Sequence, residues 1–224
     1  MFLCETILPY LSVSAIVTTF GLFLCQSQIC RRIQKDGSTK NTSAAPFLSA
    51  FVSCTFCLQY GFLKNDAVII FNNVMGLALE TTYVIYFYYM ARGRRYLNKI
   101  LLLHFLSFCL MEAYITYPTT SSQEAETLLG VICIVLNIVS IGSPLMDIGK
   151  VIKTKNSESL PLPMCIACLL VSVQWLLYGI LVNDVVIKYP NYIATVLSVV
   201  QLSLFYIYPA RKVPHHKLSN QDDV

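Results

Sequence analysis

Two copies of one segment decide the fold of this chain: Cys57–Asn73 reads CLQYGFLKNDAVIIFNN, and Trp175–Asn191 reads WLLYGILVNDVVIKYPN. The copies align without a gap at a constant offset of 118 positions. Two apolar helices aligned by chance would share Leu and Val, but hardly Y-G-x-L-x-N-D with a further Asn seven residues later. The chain therefore contains an internal repeat. Its identical pairs include Tyr60/Tyr178, Gly61/Gly179, Leu63/Leu181, Asn65/Asn183, Asp66/Asp184, Val68/Val186 and Asn73/Asn191.

The composition places this repeat in a membrane. Of the 224 residues, 56% are hydrophobic and only 12% are charged, which is too little polar surface to cover a water-soluble globule. Because a charge near the centre of a spanning helix costs about 2.5 to 3.5 kcal/mol, the gaps between charged residues mark the spans. The predicted spans are Ile7–Cys30, Pro46–Leu63, Ala67–Met90, Leu97–Tyr117, Thr127–Asp147, Pro163–Val182 and Ile187–Pro209.

The repeat divides these seven spans into three, one and three. Residues 1–91 hold helices 1 to 3, residues 127–210 hold helices 5 to 7, and residues 92–126 hold helix 4 as a linker. A single extra crossing makes the two units parallel, related by an axis along the membrane normal. The predicted fold is therefore an all-α integral membrane protein with two parallel three-helix repeats joined by an inversion linker helix. Residues 211–224 form a cytosolic tail.

The basic residues predict the orientation. The side opposite to them holds only Lys64 and Lys188, together with Glu124 and Glu126. The positive-inside rule therefore predicts an extracellular or lumenal N-terminus and a cytosolic C-terminus. Since this explains the net charge of +4, we expect no nucleic-acid partner. The basic residues on the predicted cytosolic side are Arg31, Arg32, Lys35, Lys40, Arg92, Arg94, Arg95, Lys99, Lys150, Lys153, Lys155, Arg211, Lys212 and Lys217.

Several motifs taken together resemble the SWEET, or MtN3/saliva, family of sugar transporters, over almost the whole chain up to about Pro209. The resemblance implies a facilitative transporter in a lipid bilayer whose members associate as homo-oligomers. We expect the plasma membrane, with the Golgi or another endomembrane as the alternative. The matching pieces are Y-G at the ends of helices 2 and 6, Asn73 with Gly76 and Glu80, Pro144 in G-S-P-L before V-I-K-T-K-N-S, Trp175 before Tyr178, and Pro190-Asn191 with Gln201.

Four side chains are candidates for binding a substrate. Asn73 lies about 9 to 10 Å deep from the outer end of helix 3, at 1.5 Å per residue, and Cys57 lies at a similar depth in helix 2. The repeat places Trp175 and Asn191 at the same depth on the other side of the pseudo-axis. Two amides, an indole and a thiol suit a sugar, which offers hydroxyl groups and weakly apolar C–H faces. A single Asn would more often form a hydrogen bond between helices, but two repeat-related ones favour a site.

Four residues at the outer helix ends have two readings. The resemblance suggests that Tyr60, Asp66, Tyr178 and Asp184 form an extracellular gate, with Lys64 able to pair with Asp184 when the gate closes. Ordinary turn chemistry is the other reading, because Asn-Asp is a common loop sequence. The residues alone leave both open.

Proline positions suggest hinges. Pro46, Pro144 and Pro161 lie near predicted cytosolic helix ends, where prolines break helices and also permit the bending that alternating access needs. Relatives often have proline near the end of helix 1, where this chain has Cys25, so we take Cys25 as a substitute hinge that lacks the kink.

The remaining polar groups predict no enzyme chemistry. Glu80 in helix 3 could couple protons to transport, but with no His nearby in sequence we favour a structural role. The pairs Cys54/Cys57 and Cys165/Cys168 lack a flanking His or charge, so we expect free thiols and no metal or cofactor. No nucleophile and base recur at one depth, which argues against an enzyme.

The favoured function is a bidirectional sugar uniporter that works by alternating access on a monosaccharide such as glucose. The alternative is a PQ-loop carrier that exports amino acids or another solute with protons. Cys25-Gln26 and Pro144-Leu145 stand where Pro-Gln would be, so that motif is absent from both units. A seven-helix receptor is a third reading, but a receptor has no reason to carry a parallel repeat.

Overall fold

The computed structural model describes residues 2–40, 42–117, 121–140, 142–157 and 160–209. The side chains of residues 2–5, 142–144, 146 and 147 lie outside this description, and so does the predicted tail from 210 onward. All regular structure in the described residues is helical. The helices are α1 (Phe2–Cys25), α2 (Ser27–Asp36), α3 (Ala45–Lys64), α4 (Ala67–Met90), α5 (Arg95–Thr116), α6 (Ser122–Ser140), α7 (Gly142–Thr154), α8 (Leu162–Leu181) and α9 (Val185–Ile207).

Seven helical segments of the described chain are long and apolar enough to span a membrane, when α1 and α2 count as one. The prediction of an all-α membrane protein with seven spans is confirmed. Two spans differ in detail. The predicted fifth span, Thr127–Asp147, covers most of α6, which begins earlier at Ser122, and the start of α7, and residue 141 between them lies outside the described residues. The first span is interrupted at Gln26, between α1 and α2.

Local chemistry explains how the N-D motifs end one helix and begin the next. Asn65 adopts a left-handed conformation (φ 52°, ψ 39°) after α3, which ends the helix. Asp66 is extended and caps α4, because its Oδ1 accepts hydrogen bonds from the backbone N–H groups of Val68 and Ile69. The second copy is built in the same way, with Asn183 at φ 53° and Asp184 capping α9.

The glycine of each Y-G pair permits the tight return of the chain. A Cβ on Gly179 would lie 2.9 Å from the backbone N of Lys188, which is too close for any side chain. A Cβ on Gly61 would meet Ile69 Cγ2 at 3.0 Å. The helices α3 and α4, and likewise α8 and α9, therefore pack closely at the turn.

Six helices form a closed ring. Contacts run from α1 to α4, α3, α6, α9, α8 and back to α1, so each repeat contributes three consecutive members. The third helix of each repeat lies between the other two, and the repeats meet along two seams, α1–α8 and α3–α6. We call the side that carries the α3–α4 and α8–α9 turns the turn face, and the opposite side the loop face.

The linker helix α5 lies outside this ring. It contacts α6, and its Glu112 accepts a hydrogen bond of 2.6 Å from Gln59 Nε2 of α3. Its outer face is apolar and exposed, with Leu103 and Leu110 about 70% accessible. Such a surface is typical of a helix that contacts lipid or another protein.

Candidate functional site

A cavity of about 330 Å³ lies inside the ring, between the two repeats. All four residues that the sequence analysis proposed for substrate binding line it: Cys57, Asn73, Trp175 and Asn191. They come from α3, α4, α8 and α9, so the structure brings together side chains from both repeats. Whether they bind a substrate stays a prediction.

The two asparagines face the cavity in the same way. Asn73 Nδ2 donates to Ile69 O, and Asn191 Nδ2 donates to Ile187 O, each at 2.8 Å. Each amide therefore bonds to its own helix backbone one turn earlier and not to a neighbouring helix. Within the described residues, neither amide oxygen has a hydrogen-bond partner in the protein. Both oxygens are available to a ligand.

Trp175 and Cys57 occupy equivalent repeat positions but present different shapes. The Trp175 indole N–H donates to Thr19 Oγ1 of α1 at 2.8 Å, which fixes the ring at one wall of the cavity. Its ring also meets Tyr178 edge-on, with centroids 5.5 Å apart. On the opposite wall, Asn137 Nδ2 of α6 approaches the small Cys57 thiol at 3.6 Å. The cavity is therefore asymmetric, with more room on the side of Cys57.

The sequence analysis missed five polar residues of the cavity: Thr19, Ser53, Asn72, Asn137 and Ser140. Ser53 Oγ donates to Asn137 Oδ1 at 3.3 Å across the α3–α6 seam. Thr19 and Asn137 are 118 positions apart and therefore equivalent in the two repeats. Thr19 contacts Trp175 and Asn137 contacts Cys57, so each of the two contacts the other repeat. The offset found from the Y-G segments, extended to Thr19 and Asn137, would have matched these two positions but would not have placed them at the cavity.

Two hydrogen bonds join the repeats at the turn face. Tyr60 donates from its hydroxyl to Asp184 Oδ2 at 2.9 Å, and Tyr178 donates to Asp66 Oδ2 at 2.7 Å. The bonds are reciprocal, since each tyrosine binds the aspartate of the other repeat. In each aspartate the other oxygen, Oδ1, caps a helix. Turn chemistry and a contact between repeats are thus both present, and the gate role remains a prediction.

The expectation that Lys64 pairs with Asp184 was wrong. Its Nζ forms an ion pair of 2.8 Å with Glu126 of α6 and not with Asp184. Glu126 lies near the start of α6, beside the α3 end that carries Lys64, whereas Asp184 is buried and already accepts from Tyr60 and from the N-terminus of α9.

The predicted hinge residues lie at helix ends. Pro46 is in the first turn of α3, and Pro161 is the N-cap residue of α8. Pro144 falls in the first turn of α7, where its side chain is outside the described part. Cys25 ends α1, and the interruption follows at Gln26 without a proline. No observation tests whether these positions bend.

The chemistry of the cavity is neutral and polar. Among the described residues that line it are four amides, three hydroxyl-bearing side chains besides Tyr60, two thiols and one indole, and none of the lining side chains is charged. In the described part of the chain, no three His, Cys, Asp or Glu side chains cluster as metal ligands would. The site can form several hydrogen bonds to an uncharged ligand and stack an apolar face on Trp175.

Comparison with known proteins decides the family. A family model described as "Sugar efflux transporter for intercellular exchange" matches twice, over residues 9–95 and 127–213. The two matches are separated by the same 118 positions as the Y-G segments. This chain belongs to the SWEET family.

Individual SWEET relatives agree over most of the chain. The sugar transporter SWEET1 of Caenorhabditis elegans is 39% identical over 219 residues, covering 96% of this chain and 72% of the relative. The human SWEET1 is 34% identical over 203 residues, covering 88% and 89%. A solved eukaryotic SWEET transporter superposes with a TM-score of 0.83 at 24% identity, covering 92% of this chain and 98% of that one. This last likeness shows the fold alone.

Membership of the SWEET family settles the broad class. The family consists of transporters, so this chain is a multi-pass membrane transporter and not an enzyme. The two matches of the family model also coincide with the two halves of the ring, α1–α4 and α6–α9, and leave α5 between them.

Proposed function

We propose that this chain is a bidirectional facilitative transporter of a monosaccharide such as glucose, and that it works by alternating access. The observation that carries the proposal is the uncharged cavity between the repeats, which places Asn73, Asn191 and Trp175 around one space. The relatives named as sugar transporters support the substrate class. The volume of about 330 Å³ is near the lower end of the roughly 300 to 1,000 Å³ of small-molecule sites, which favours one sugar ring over two.

The reciprocal bonds at the turn face support alternating access. Tyr60 with Asp184 and Tyr178 with Asp66 tie the two repeats together at one end of the cavity. We propose that these four residues are the gate and that the present conformation is closed at the turn face. Opening would break both bonds together, because they are related by the repeat axis and cross the same boundary.

The alternative, proton-coupled export, has less support. A coupling group must reach the substrate or the pathway, and Glu80 is fully buried and does not line the cavity. The cavity also lacks a charged side chain among the described residues that could bind the carboxylate and ammonium groups of an amino acid. A passive carrier for a neutral solute fits these observations better.

We further propose that the turn face is extracellular or lumenal, which follows from the basic loops on the other side. The plasma membrane is the proposed site of action, with an endomembrane such as the Golgi as the alternative. The boundaries 1–91, 92–126, 127–210 and 211–224 are proposed as the functional divisions of the chain, and the active form as a homo-oligomer.

Flux in purified vesicles tests the function. Uptake of labelled D-glucose into proteoliposomes should be saturable, should occur equally with and without a proton gradient, and should accelerate when unlabelled D-glucose is preloaded. L-Glucose and protein-free vesicles are the controls. Strict dependence on a proton gradient, or no flux with any hexose, would overturn the proposal.

A further inference from the structure

Glu80 is a carboxyl group inside the membrane that the proposed transport cycle does not use. It lies in α4, and its relative accessibility is 0%. The titratable groups that interact with its carboxyl are Cys30 of α2, Cys54 of α3 and Tyr83 of α4 itself. These groups are uncharged near neutral pH, and no Lys or Arg of the described residues forms an ion pair with Glu80. A carboxylate here would have no counter-ion.

The hydrogen bonds around Glu80 form an incomplete set. Gln26, which stands between α1 and α2, donates from Nε2 to Glu80 Oε1 at 2.5 Å. Two further oxygen atoms of this pair, Glu80 Oε2 and Gln26 Oε1, are buried and have no partner in the described part of the chain. Each member of this hydrogen-bonded pair therefore keeps one buried oxygen that lacks a donor. A proton on Glu80 Oε2 would supply it.

We propose that Glu80 is kept as the neutral acid and forms a two-bond ring with Gln26, in which each side chain donates once and accepts once. This arrangement satisfies both unpaired oxygens and removes the cost of burying a charge without a partner. An ionised Glu80 would carry a negative charge on Oε2 without a hydrogen-bond donor, and the Gln26 carbonyl oxygen would repel that charge. The neutral ring is therefore the stable form.

The ring gives Glu80 a positioning role through Gln26. Around Gln26 the backbone hydrogen bonds join residues three positions apart, not the four of an α-helix. Gln26 N–H donates to Phe23 O at 3.1 Å, and Ile29 N–H donates to Gln26 O at 2.9 Å. The interruption of the first span is thus anchored to α4 by one side-chain pair. The equivalent position in the second repeat, 118 residues on, is Pro144 in the first turn of α7, where a proline is tolerated without such an anchor.

Infrared spectroscopy tests the protonation state without any sugar. Wild-type protein in nanodiscs at neutral pH should show the C=O band of a protonated carboxylic acid, and Glu80→Gln should lose it. Glu112→Gln is the matched control, because it changes the other Gln-bonded glutamate of the described spans. Persistence of the same band in Glu80→Gln, or its absence from the wild type, would overturn the proposal.

A flux series tests the positioning role, and this arm rests on the proposed sugar transport. Glu80→Gln keeps a two-bond ring, so its flux should stay within about twofold of the wild type and keep the same pH profile. Glu80→Leu leaves Gln26 unpaired and should lower flux about tenfold. The exchange Gln26→Glu with Glu80→Gln keeps the acid–amide ring with the two residues interchanged and should also keep flux within about twofold of the wild type.

The two arms separate the failures. If the infrared result is as expected but no variant or wild-type protein moves a hexose, the proposed function fails and the neutral pair stands. If the wild type transports but Glu80→Gln is inactive at normal expression and folding, the positioning role of a neutral Glu80 is refuted.

Discussion

At the scale of single residues, the asparagines show how a polar group can be placed in a membrane for a ligand. Asn73 and Asn191 each use one amide hydrogen on their own helix, which orients the side chain and lowers the cost of burying it. The oxygen remains free of protein partners in the described structure. A group held in this way loses little freedom when a sugar hydroxyl binds to it.

Asn73→Ala and Asn191→Ala should each abolish hexose transport and leave surface expression unchanged. The reason is that alanine keeps the helix but removes the free amide oxygen from the cavity. Hexose uptake in cells, normalised to surface-labelled protein, is the measurement. Asn98→Ala, an exposed residue in the first turn of α5, is the matched control. Wild-type flux in either cavity variant would refute the placement of the site.

At the scale of helices and turns, one short motif performs two functions because a carboxylate has two oxygens. Asp66 Oδ1 caps α4, while Asp66 Oδ2 accepts from Tyr178 of the other repeat. The cap is local, because it joins residues within one turn of the chain. If the proposed gate opens, the bond between repeats breaks and the cap is expected to remain.

Tyrosine and aspartate variants should separate these two functions. Tyr178→Phe removes only the bond between repeats and should cost about 1 kcal/mol of stability in the closed form. Asp66→Ala also removes the α4 cap and should cost about 1 kcal/mol more. Thermal unfolding in detergent measures the difference. Equal losses in the two variants would contradict the double role.

The Tyr178→Phe change should also open the turn face more often. Cys57 lines the cavity, so its reaction with a membrane-impermeant thiol reagent added on the turn-face side should become faster. Cys57→Ala in the same background controls for the other thiols. An unchanged labelling rate would argue against the gate.

Glycine variants should report how tightly each turn is packed. The methyl group of Gly179→Ala would lie 2.9 Å from the backbone N of Lys188. This change should destabilise the protein by about 2 kcal/mol, because the backbone cannot rotate away as a side chain can. The methyl group of Gly61→Ala would lie 3.0 Å from Ile69 Cγ2 and 3.2 Å from the backbone N of Ile70, so its nearest backbone contact is longer and it should cost less. Gly21→Ala, with no atom within 4 Å of the added methyl, should be neutral or stabilising. Unfolding temperatures in detergent should follow this order, and a Gly21→Ala loss as large as that of Gly179→Ala would contradict it.

At the scale of the whole molecule, the ring explains why the transporter needs two similar units. Each repeat contributes one wall of the cavity and one half of each bond at the turn face. The repeats contact each other along two seams, α1–α8 and α3–α6, and the proposed alternating access would move the units relative to each other there. The linker α5 reverses the chain direction so that both units point the same way.

Orientation in the membrane is the prediction at this scale. A tag placed before Met1 should be accessible to antibody on intact cells, and a tag after Val224 only after permeabilisation. The cause is the concentration of Lys and Arg in the loops on the C-terminal side. If the protein resides in an endomembrane, protease protection in sealed vesicles replaces the cell-surface assay. The opposite accessibility pattern would reverse the assignment of the turn face.

The sequence by itself determined the seven spans, the repeat, and the set of side chains that could meet in the cavity. These features follow from local rules: apolar length marks a span, an Asn-Asp pair ends one helix and caps the next, and a constant offset places matched residues at matched depths. That is why Cys57, Asn73, Trp175 and Asn191 could be chosen without coordinates, and why they line one cavity.

Only the tertiary structure decided the partners. Tyr60 binds Asp184, 124 positions away, Lys64 binds Glu126, and Gln26 binds Glu80. Thr19 and Asn137 also reach the cavity only through the order of helices in the ring. A hydrogen bond needs its two heavy atoms within about 3 Å of each other. Hydropathy and residue spacing determine how deep a side chain lies in the membrane, but not which neighbouring helix that side chain faces. The order of the helices in the ring determines which side chains face each other.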